Sequence, residues 1–188
     1  MIKNGYDFCI GSNKPNLRKS VTTILTGTGF HSSGERESIP DFLRLLRQVQ
    51  PWLAVIDTAL PPGNIEQLAD IIENDALAAA VYINTSGADL RLHVQLPWPV
   101  EASVLTAVAE TMCNEFAHKK KLHKEIEQLQ NKLFERKLIE KAKGILANLY
   151  NLSEDEAYRL LRQSSMQKRI SMAEMSSKII NDPGSLSS

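Results

Sequence analysis

The 188-residue sequence has few of the features that mark secreted or membrane proteins. Its two cysteines, Cys9 and Cys113, form no Cys-x-x-Cys pair and are too few for a disulfide framework. Free thiols are typical of a reducing cytoplasm, where we expect the protein to be. Residues 1–10 contain no long apolar stretch, and no apolar run approaches the roughly 18 residues that cross a bilayer. The sequence therefore predicts no signal peptide and no membrane partner.

The sequence also lacks the side-chain groupings that catalytic and metal sites need. It has no paired carboxylates, no P-loop and no cluster of His and Cys. His118 and His123 are five residues apart, which misses the i,i+4 spacing of two metal ligands on one helix face. We therefore predict that the protein is not an enzyme and has no cofactor and no resident metal.

The chain has no excess of charge, because 22 Lys and Arg balance 22 Asp and Glu. Such a balance argues against a nucleic-acid-binding protein only where the charges are evenly spread. Residues 1–117 hold 8 basic and 13 acidic residues, a net charge of −5, whereas residues 118–188 hold 14 basic and 9 acidic residues, a net charge of +5. This asymmetry predicts two units with different partners.

Short apolar segments alternate with helical patterns through the first hundred residues. Five segments predict strands: Tyr6–Ile10, His31–Ser33, Trp52–Ile56, Ala79–Ile83 and Leu92–Leu96. Helical spacing of apolar residues follows Pro15 and Pro40 and recurs over Ile65–Ile72. Apolar strands separated by amphipathic helices predict a parallel sheet covered on both faces, in a flavodoxin-like doubly wound α/β fold.

Four segments of this region resemble response-regulator receiver domains. They are FCIGSNKPNLR (8–18), AVIDTALPPGN (54–64), YINTS (82–86) and LPWPV (96–100). The resemblance implies that Asp57 stands at the phosphoacceptor position and Thr85 at the switch position. It also implies a degenerate pocket, since Ser12 and Asn13 replace two acidic residues of the family and Trp98 replaces its lysine.

These departures predict a pseudo-receiver. Receiver chemistry uses Mg²⁺, which prefers carboxylate oxygens, and Asp57 beside a hydroxyl and an amide offers a poor site. Without the metal and the family's lysine, little remains to neutralise a transferring phosphoryl group. We therefore interpret Asp57 and Thr85 as loop and cap residues. Trp98 follows Thr85 by only 13 positions, so we expect the family's fourth helix to be missing.

One long helix is predicted from Glu101 to about Leu149, since the span holds no Pro and its only Gly is Gly144. It carries an apolar a/d stripe of four residues: Leu122, Ile126, Leu129 and Leu133. So few apolar residues cannot stabilise a lone helix in water. The stripe therefore predicts a parallel coiled coil with a second copy of the chain; the alternative is packing against the chain's own domain.

Two capping boxes predict two further helices. Ser153 is followed by Glu156, and Ser171 by Glu174, at the spacing in which the two side chains cap each other's backbone groups. Asn151 is placed to end the long helix in a left-handed conformation. With the end of the long helix, these two helices predict a small bundle.

Residues 135–180 are similar to the ANTAR domain, the RNA-binding module of transcription antitermination regulators such as the aliphatic amidase regulator. The matching positions are Ala142, Lys143, Gly144, Leu146, Ser153, Glu156, Ala157, Tyr158, Leu161 and Arg162. The order of receiver-like domain, coiled coil and ANTAR domain also resembles that family. The resemblance implies a homodimer that binds hairpins in a nascent leader RNA and prevents formation of a terminator.

RNA recognition combines cations at phosphates with stacking on, and hydrogen bonds to, unstacked bases. The candidate RNA-binding residues are Lys141, Lys143, Gly144, Tyr158, Arg159, Arg162, Lys168 and Arg169. Two alternatives stay open: Tyr158 could pack between helices, and Gly144 could serve close helix packing rather than close approach of RNA. We expect Ala142, Ala157 and Leu161 in the core.

The predicted organisation is a pseudo-receiver over 1–112, a coiled-coil helix over 113–136, an ANTAR domain over 137–182 and a tail over 183–188. The predicted function is RNA-binding antitermination, with a regulatory protein acting on the pseudo-receiver in place of phosphorylation. The alternatives are a DNA-binding response regulator with a helical output domain, and a dimerisation scaffold whose positive charge is only a solvated surface.

Overall fold

The computed structural model describes residues 5–87 and 94–182. The chain divides into two compact units, residues 1–120 and residues 121–188. A single long helix contributes its first turns to the first unit and its last turns to the second.

The first unit is built on a parallel five-stranded sheet in the order β2-β1-β3-β4-β5. The strands are β1 Asp7–Gly11, β2 His31–Arg36, β3 Leu53–Asp57, β4 Ala79–Asn84 and β5 Gln95–Pro97. The helices between them are α1 Pro15–Gly27, α2 Ile39–Val49 and α3 Ile65–Asn74. This topology confirms the predicted flavodoxin-like doubly wound fold.

The central strand β3 is buried on both faces, which explains its apolar sequence from Leu53 to Ile56. Leu53 and Val55 face the core formed with α1 and the start of the long helix. Ala54 and Ile56 face the core formed with α2 and α3. Each side of the sheet is therefore closed by helices, and polar side chains of the strand ends are left at the carboxyl edge.

Two predicted strands differ in extent from the structure. The second strand continues to Arg36 instead of ending at Ser33, because it is an exposed edge strand that pairs only with β1 and carries no apolar pattern. The fifth strand begins at Gln95, and the predicted start at Leu92 lies outside the described residues. The expectation about the family's fourth helix also concerns residues 88–93, which are not described.

The long helix α4 runs from Ala102 to Tyr150 without interruption, within a residue of the predicted bounds. Its first turns bury Leu105, Ala109 and Cys113 against the sheet. Both cysteines are buried free thiols, and burial raises the pKa of Cys9 to about 11 and that of Cys113 to about 12. Neither thiol is therefore ionised or reactive at neutral pH.

The second unit packs the end of α4 against α5 Glu154–Lys168 and α6 Met172–Asn181. Its fully buried apolar core is Ala142, Leu146, Ala157, Leu161, Met175 and Ile179. Ser153 and Glu156 form the predicted reciprocal capping box at the start of α5. Asn151 adopts the predicted left-handed conformation, with a φ of 53°.

Candidate functional site

Asp57 ends β3 and is fully buried at the carboxyl edge of the sheet. Its Oδ2 accepts a hydrogen bond from the Ser12 hydroxyl at 2.9 Å. Its Oδ1 accepts from the backbone N–H of Ala59 at 2.9 Å and from the Thr85 hydroxyl. Three parallel strands thus deliver Ser12, Asp57 and Thr85 to one place, and both carboxylate oxygens already have donors.

Lys14 adds a cation to this cluster. Its Nζ lies 3.4 Å from Asp57 Oδ2 and donates a hydrogen bond to the Thr85 hydroxyl. Its backbone N–H donates to Ser12 Oγ at 3.1 Å, which fixes the turn between β1 and α1. The Lys14 side chain is 42% exposed, so it covers the buried carboxylate from the solvent side.

Lys14 was not predicted as a pocket residue, because the prediction used only the positions that match the receiver motif. The available signal was the position of Lys14 three residues after the end of β1, at the same sheet edge as Asp57. Of the other predicted pocket residues, Asn13 is exposed and joins none of the hydrogen bonds described above. Trp98 packs partly buried against the core and lines a cavity of about 570 Å³ together with Lys14 and Thr85.

The receiver fold implies a magnesium ion at this edge, and the residues present do not fit one. Mg²⁺ requires several oxygen ligands in octahedral geometry, and the pocket offers one carboxylate. That carboxylate, Asp57, is already bonded to Ser12 and paired with Lys14, whose ammonium group repels a second cation. Within residues 5–87 and 94–182, no group of three or more His, Cys, Asp or Glu side chains could hold a metal.

The apolar stripe of α4 is exposed. Its four residues are between 45% and 60% accessible: Leu122, Ile126, Leu129 and Leu133. Among the described residues none of the four belongs to a core cluster or is packed against one. Exposed apolar residues at this spacing are typical of a helix surface that packs against another helix.

The predicted RNA-binding residues lie on the last turns of α4 and on α5. Lys141, Arg159 and Arg162 are exposed, and Arg169 forms the left-handed cap at the end of α5. Tyr158 is 42% exposed and is not part of the core.

Gly144 faces open space on α4. Apart from its two chain neighbours and the nearby backbone of α4, a methyl group added there would meet no atom within 4 Å among the described residues, so close helix packing does not require this glycine. Gly144 therefore leaves an open patch on the helix surface.

Lys143 lies in a different environment from the other predicted cations. Its side chain is only 13% exposed, and its Nζ is 3.0 Å from Glu140 Oε2 and 3.5 Å from Glu154 Oε2. The hydrogen bond to Glu140 raises the pKa of Lys143, so it is charged at neutral pH. Lys143 thereby joins α4 to the start of α5, and RNA would have to compete with two carboxylates for it.

One face of α5 forms a shallow groove of about 450 Å³. Five residues line it: Arg159, Arg162, Gln163, Met166 and Gln167. They recur at i, i+3, i+4, i+7 and i+8, the spacing of a single helix face. The opposite face carries the buried Ala157 and Leu161. The sequence predicted the two arginines as candidate RNA-binding residues but not Gln163, Met166 and Gln167.

Comparison with known proteins identifies the class. Residues 127–180 match the ANTAR domain. The first unit is similar to the signal receiver domain of a modulated diguanylate cyclase from Desulfovibrio desulfuricans, with a TM-score of 0.56, 15% identity, and coverage of 62% of this chain and 99% of that one. It is also similar to the response regulator PhyR from Brucella abortus, with a TM-score of 0.53, 14% identity, and coverage of 65% and 54%. At these identities the likeness shows the fold alone.

The chain thus joins a domain with the receiver fold to an ANTAR domain, as the sequence predicted. Over 183 residues it is 22% identical to the transcriptional regulatory protein PdtaR from Mycobacterium tuberculosis, a match that covers 93% of this chain and 89% of that protein. Both the matching domain and this relative are regulatory. None of the described helices has the length and apolar character that a membrane crossing requires.

Proposed function

We propose that the protein is a dimeric, cytoplasmic transcription antiterminator that binds hairpins in leader RNA and prevents formation of a terminator. The observation that carries this proposal is the ANTAR match over residues 127–180, on a unit whose exposed helix α5 displays arginines. The net charge of +5 over residues 118–188 suits a polyanionic partner.

The exposed stripe of α4 supports a homodimer. Leu122, Ile126, Leu129 and Leu133 have the a/d spacing of a parallel coiled coil. A parallel dimer presents two ANTAR units to one RNA. Once the first hairpin is bound, the second hairpin is held near the second unit, which raises its effective concentration there. The stripe is short, which makes the dimer sensitive to partners that cover it.

The receiver-like unit acts in this proposal without phosphoryl transfer. The Asp57 carboxylate is held by Ser12, Thr85 and Lys14, and these contacts leave no place for the magnesium ion that the reaction requires. Control then comes from a regulatory protein that binds this unit.

The test begins with crosslinking of RNA to the full-length protein in cells, followed by sequencing. The captured leader serves as the template for single-round transcription through its terminator. We expect added protein to increase readthrough, and Arg162→Ala to lose the effect while the exposed control Lys178→Ala retains it. Equal retention of duplex DNA and hairpin RNA in a gel-shift assay would instead favour the DNA-binding alternative.

A further inference from the structure

The groove on α5 combines the chemistry for holding a phosphate backbone with the chemistry for reading bases. We propose that Gln163 and Gln167 hydrogen-bond the edges of unstacked loop bases, that Met166 packs on a base face, and that Arg159 and Arg162 hold the phosphates. The inference rests on the proposed function and adds the residues that select the RNA sequence.

The position of the two glutamines on α5 supports this assignment. Gln163 and Gln167 are four residues apart, so their side chains are neighbours on one helix face, about 5–6 Å apart at Cβ. The side of α5 that packs into the bundle carries Leu161, Ser164 and Ser165, all buried. The groove side is therefore the side left for a ligand.

The polar groups of the groove are available for a ligand. In the described part of the chain, the side chains of Arg162, Gln163 and Gln167 make no hydrogen bond and no ion pair. Lys143, by contrast, is engaged with two carboxylates. A glutamine amide offers both donors and an acceptor, as base edges do, whereas a lysine or arginine offers donors only. The glutamines can therefore distinguish bases that a cation alone would not.

Met166 supplies the apolar contact. Its side chain is 68% exposed, the highest exposure among the large apolar side chains that the structure describes. A thioether is flexible and polarisable, so it adapts to flat ring surfaces. Met166 lines the same groove as Gln163 and Gln167, so it is positioned to cover a base whose edge either amide contacts.

Charge favours RNA over a protein as the occupant. The groove lining contains two guanidinium groups and no carboxylate. Sequence-specific RNA binding targets loops whose bases are unstacked and accessible, which suits a shallow groove. Exposed arginines beside neutral amides match a strand with phosphates on one side and bases on the other.

The test uses full-length protein and a pool of RNA hairpins with a fixed stem and a fully randomised loop. Bound RNA is sequenced after selection, and affinity is measured against salt concentration. For the unmodified protein we expect enrichment of a loop sequence over a loopless duplex of the same stem. Gln163→Ala and Gln167→Ala should each relax selection at one or two loop positions and weaken binding of the selected loop about fivefold or more.

Three variants sharpen the comparison. Gln163→Glu keeps an acceptor and loses the amide donors, so it should change the preferred base rather than abolish preference. Arg159→Ala should weaken the binding of all loop sequences alike. It should also reduce the slope of log affinity against log salt concentration by about one, the value of one phosphate contact. Gln48→Ala, an exposed glutamine on α2, is the matched control and should change neither measurement.

The outcomes separate the inference from the proposed function. Loss of loop selection in the glutamine variants, with unchanged helical content, supports the base-reading role. An unchanged consensus in all glutamine variants overturns the inference but leaves RNA binding intact. Weaker self-association without a change in RNA selection would assign the groove to a protein interface and also overturn it. If the unmodified protein prefers no hairpin over the duplex, the proposed function itself fails.

Discussion

Lys14 Nζ lies 3.4 Å from Asp57 Oδ2, so a lysine from the turn after β1 places a fixed positive charge on the carboxylate that ends β3. The same ammonium group donates a hydrogen bond to the Thr85 hydroxyl, which itself donates to Asp57. The ends of β1, β3 and β4 are thereby joined through one buried carboxylate. A cation from the chain itself thus stands beside the buried carboxylate at this edge of the sheet.

Replacing Lys14 with Met should destabilise the first unit by about 1–2 kcal/mol. The variant keeps the aliphatic stem but removes the only charge that compensates the buried Asp57 among the described contacts. The loss is smaller than for a fully buried pair because Lys14 is partly solvated and Asp57 keeps three hydrogen bonds. Urea unfolding checks this, with the exposed Lys19→Met as control. Equal midpoints for the two variants would show that the ion pair contributes nothing.

Incubation of the full-length protein with Mg²⁺ and a small phosphodonor should leave its mass unchanged. Asp57 already accepts hydrogen bonds from Ser12, Thr85 and the Ala59 amide, and it has Lys14 rather than a metal beside it. Intact mass spectrometry is the measurement, and a receiver domain known to be phosphorylated under the same conditions is the positive control. Stoichiometric addition of phosphate to this protein would reject the pseudo-receiver interpretation.

The fold was predictable because local pattern and packing agree along most of the chain. Strand β3 is apolar from Leu53 to Ile56 and lies between two helical layers. The spacing of Ser153 and Glu156 predicts the start of α5 from capping chemistry alone. Strand β2 was only partly predictable, since its residues up to Arg36 are polar and exposed. Pairing with β1 determines the length of β2. The sequence of β2 by itself does not indicate how far that pairing extends.

The candidate sites were predictable to a smaller degree. Asp57 and Thr85 follow apolar strands, so their meeting at one sheet edge could be expected from the topology. The position of Lys14 after β1 places it at the same sheet edge, but its contact with Asp57 depends on side-chain geometry that spacing does not give. Gln163 and Gln167 are neutral, and they become candidates only once the buried face of α5 is known.

Ile126→Asp should abolish the proposed dimer, because a charge at an a/d position of a coiled coil is buried without a partner. Sedimentation at micromolar concentration measures this. RNA with two hairpins should then bind about 100-fold more weakly, while a single hairpin binds as before. Gln128→Asp introduces the same charge on another exposed face of α4. It should change neither the oligomeric state nor the affinity for RNA with two hairpins. If the Ile126→Asp variant remains dimeric, the stripe is not the dimer interface.

Glu156→Gln should lower stability at neutral pH but not in acid. In the capping box Glu156 Oε2 accepts from the Ser153 hydroxyl at 2.6 Å and from the Ser153 backbone N–H at 2.9 Å. The hydroxyl bond first, and then the backbone bond, lower the pKa of Glu156 below its ordinary value. A lowered pKa in the folded state means that the ionised form stabilises the fold above the unfolded pKa of about 4.3, and that this stabilisation is lost as the pH falls through the folded pKa.

The corresponding measurement is the urea midpoint of the unmodified protein and of Glu156→Gln at neutral pH and near pH 3. The difference between the two should shrink toward zero at the lower pH. Glu127→Gln, at an exposed position of α4, should show no such pH-dependent difference. A difference for Glu156→Gln that is constant with pH would mean that the ionised carboxylate is not what stabilises the start of α5.

Gly144→Ala should stabilise the protein and weaken RNA binding. Alanine is favoured over glycine inside a helix by about 0.8–1 kcal/mol. Apart from its chain neighbours and the nearby backbone of α4, the added methyl group meets no atom within 4 Å among the described residues. The glycine therefore costs stability without serving helix packing, and close approach of RNA is the use that we infer for it. Thermal unfolding tests the predicted gain in stability, and affinity for a selected hairpin tests the predicted loss of RNA binding. The exposed Asn148→Ala on α4 is the control, since it changes helix propensity without opening or closing the patch. A more stable Gly144→Ala with unchanged affinity would remove Gly144 from the RNA-binding surface.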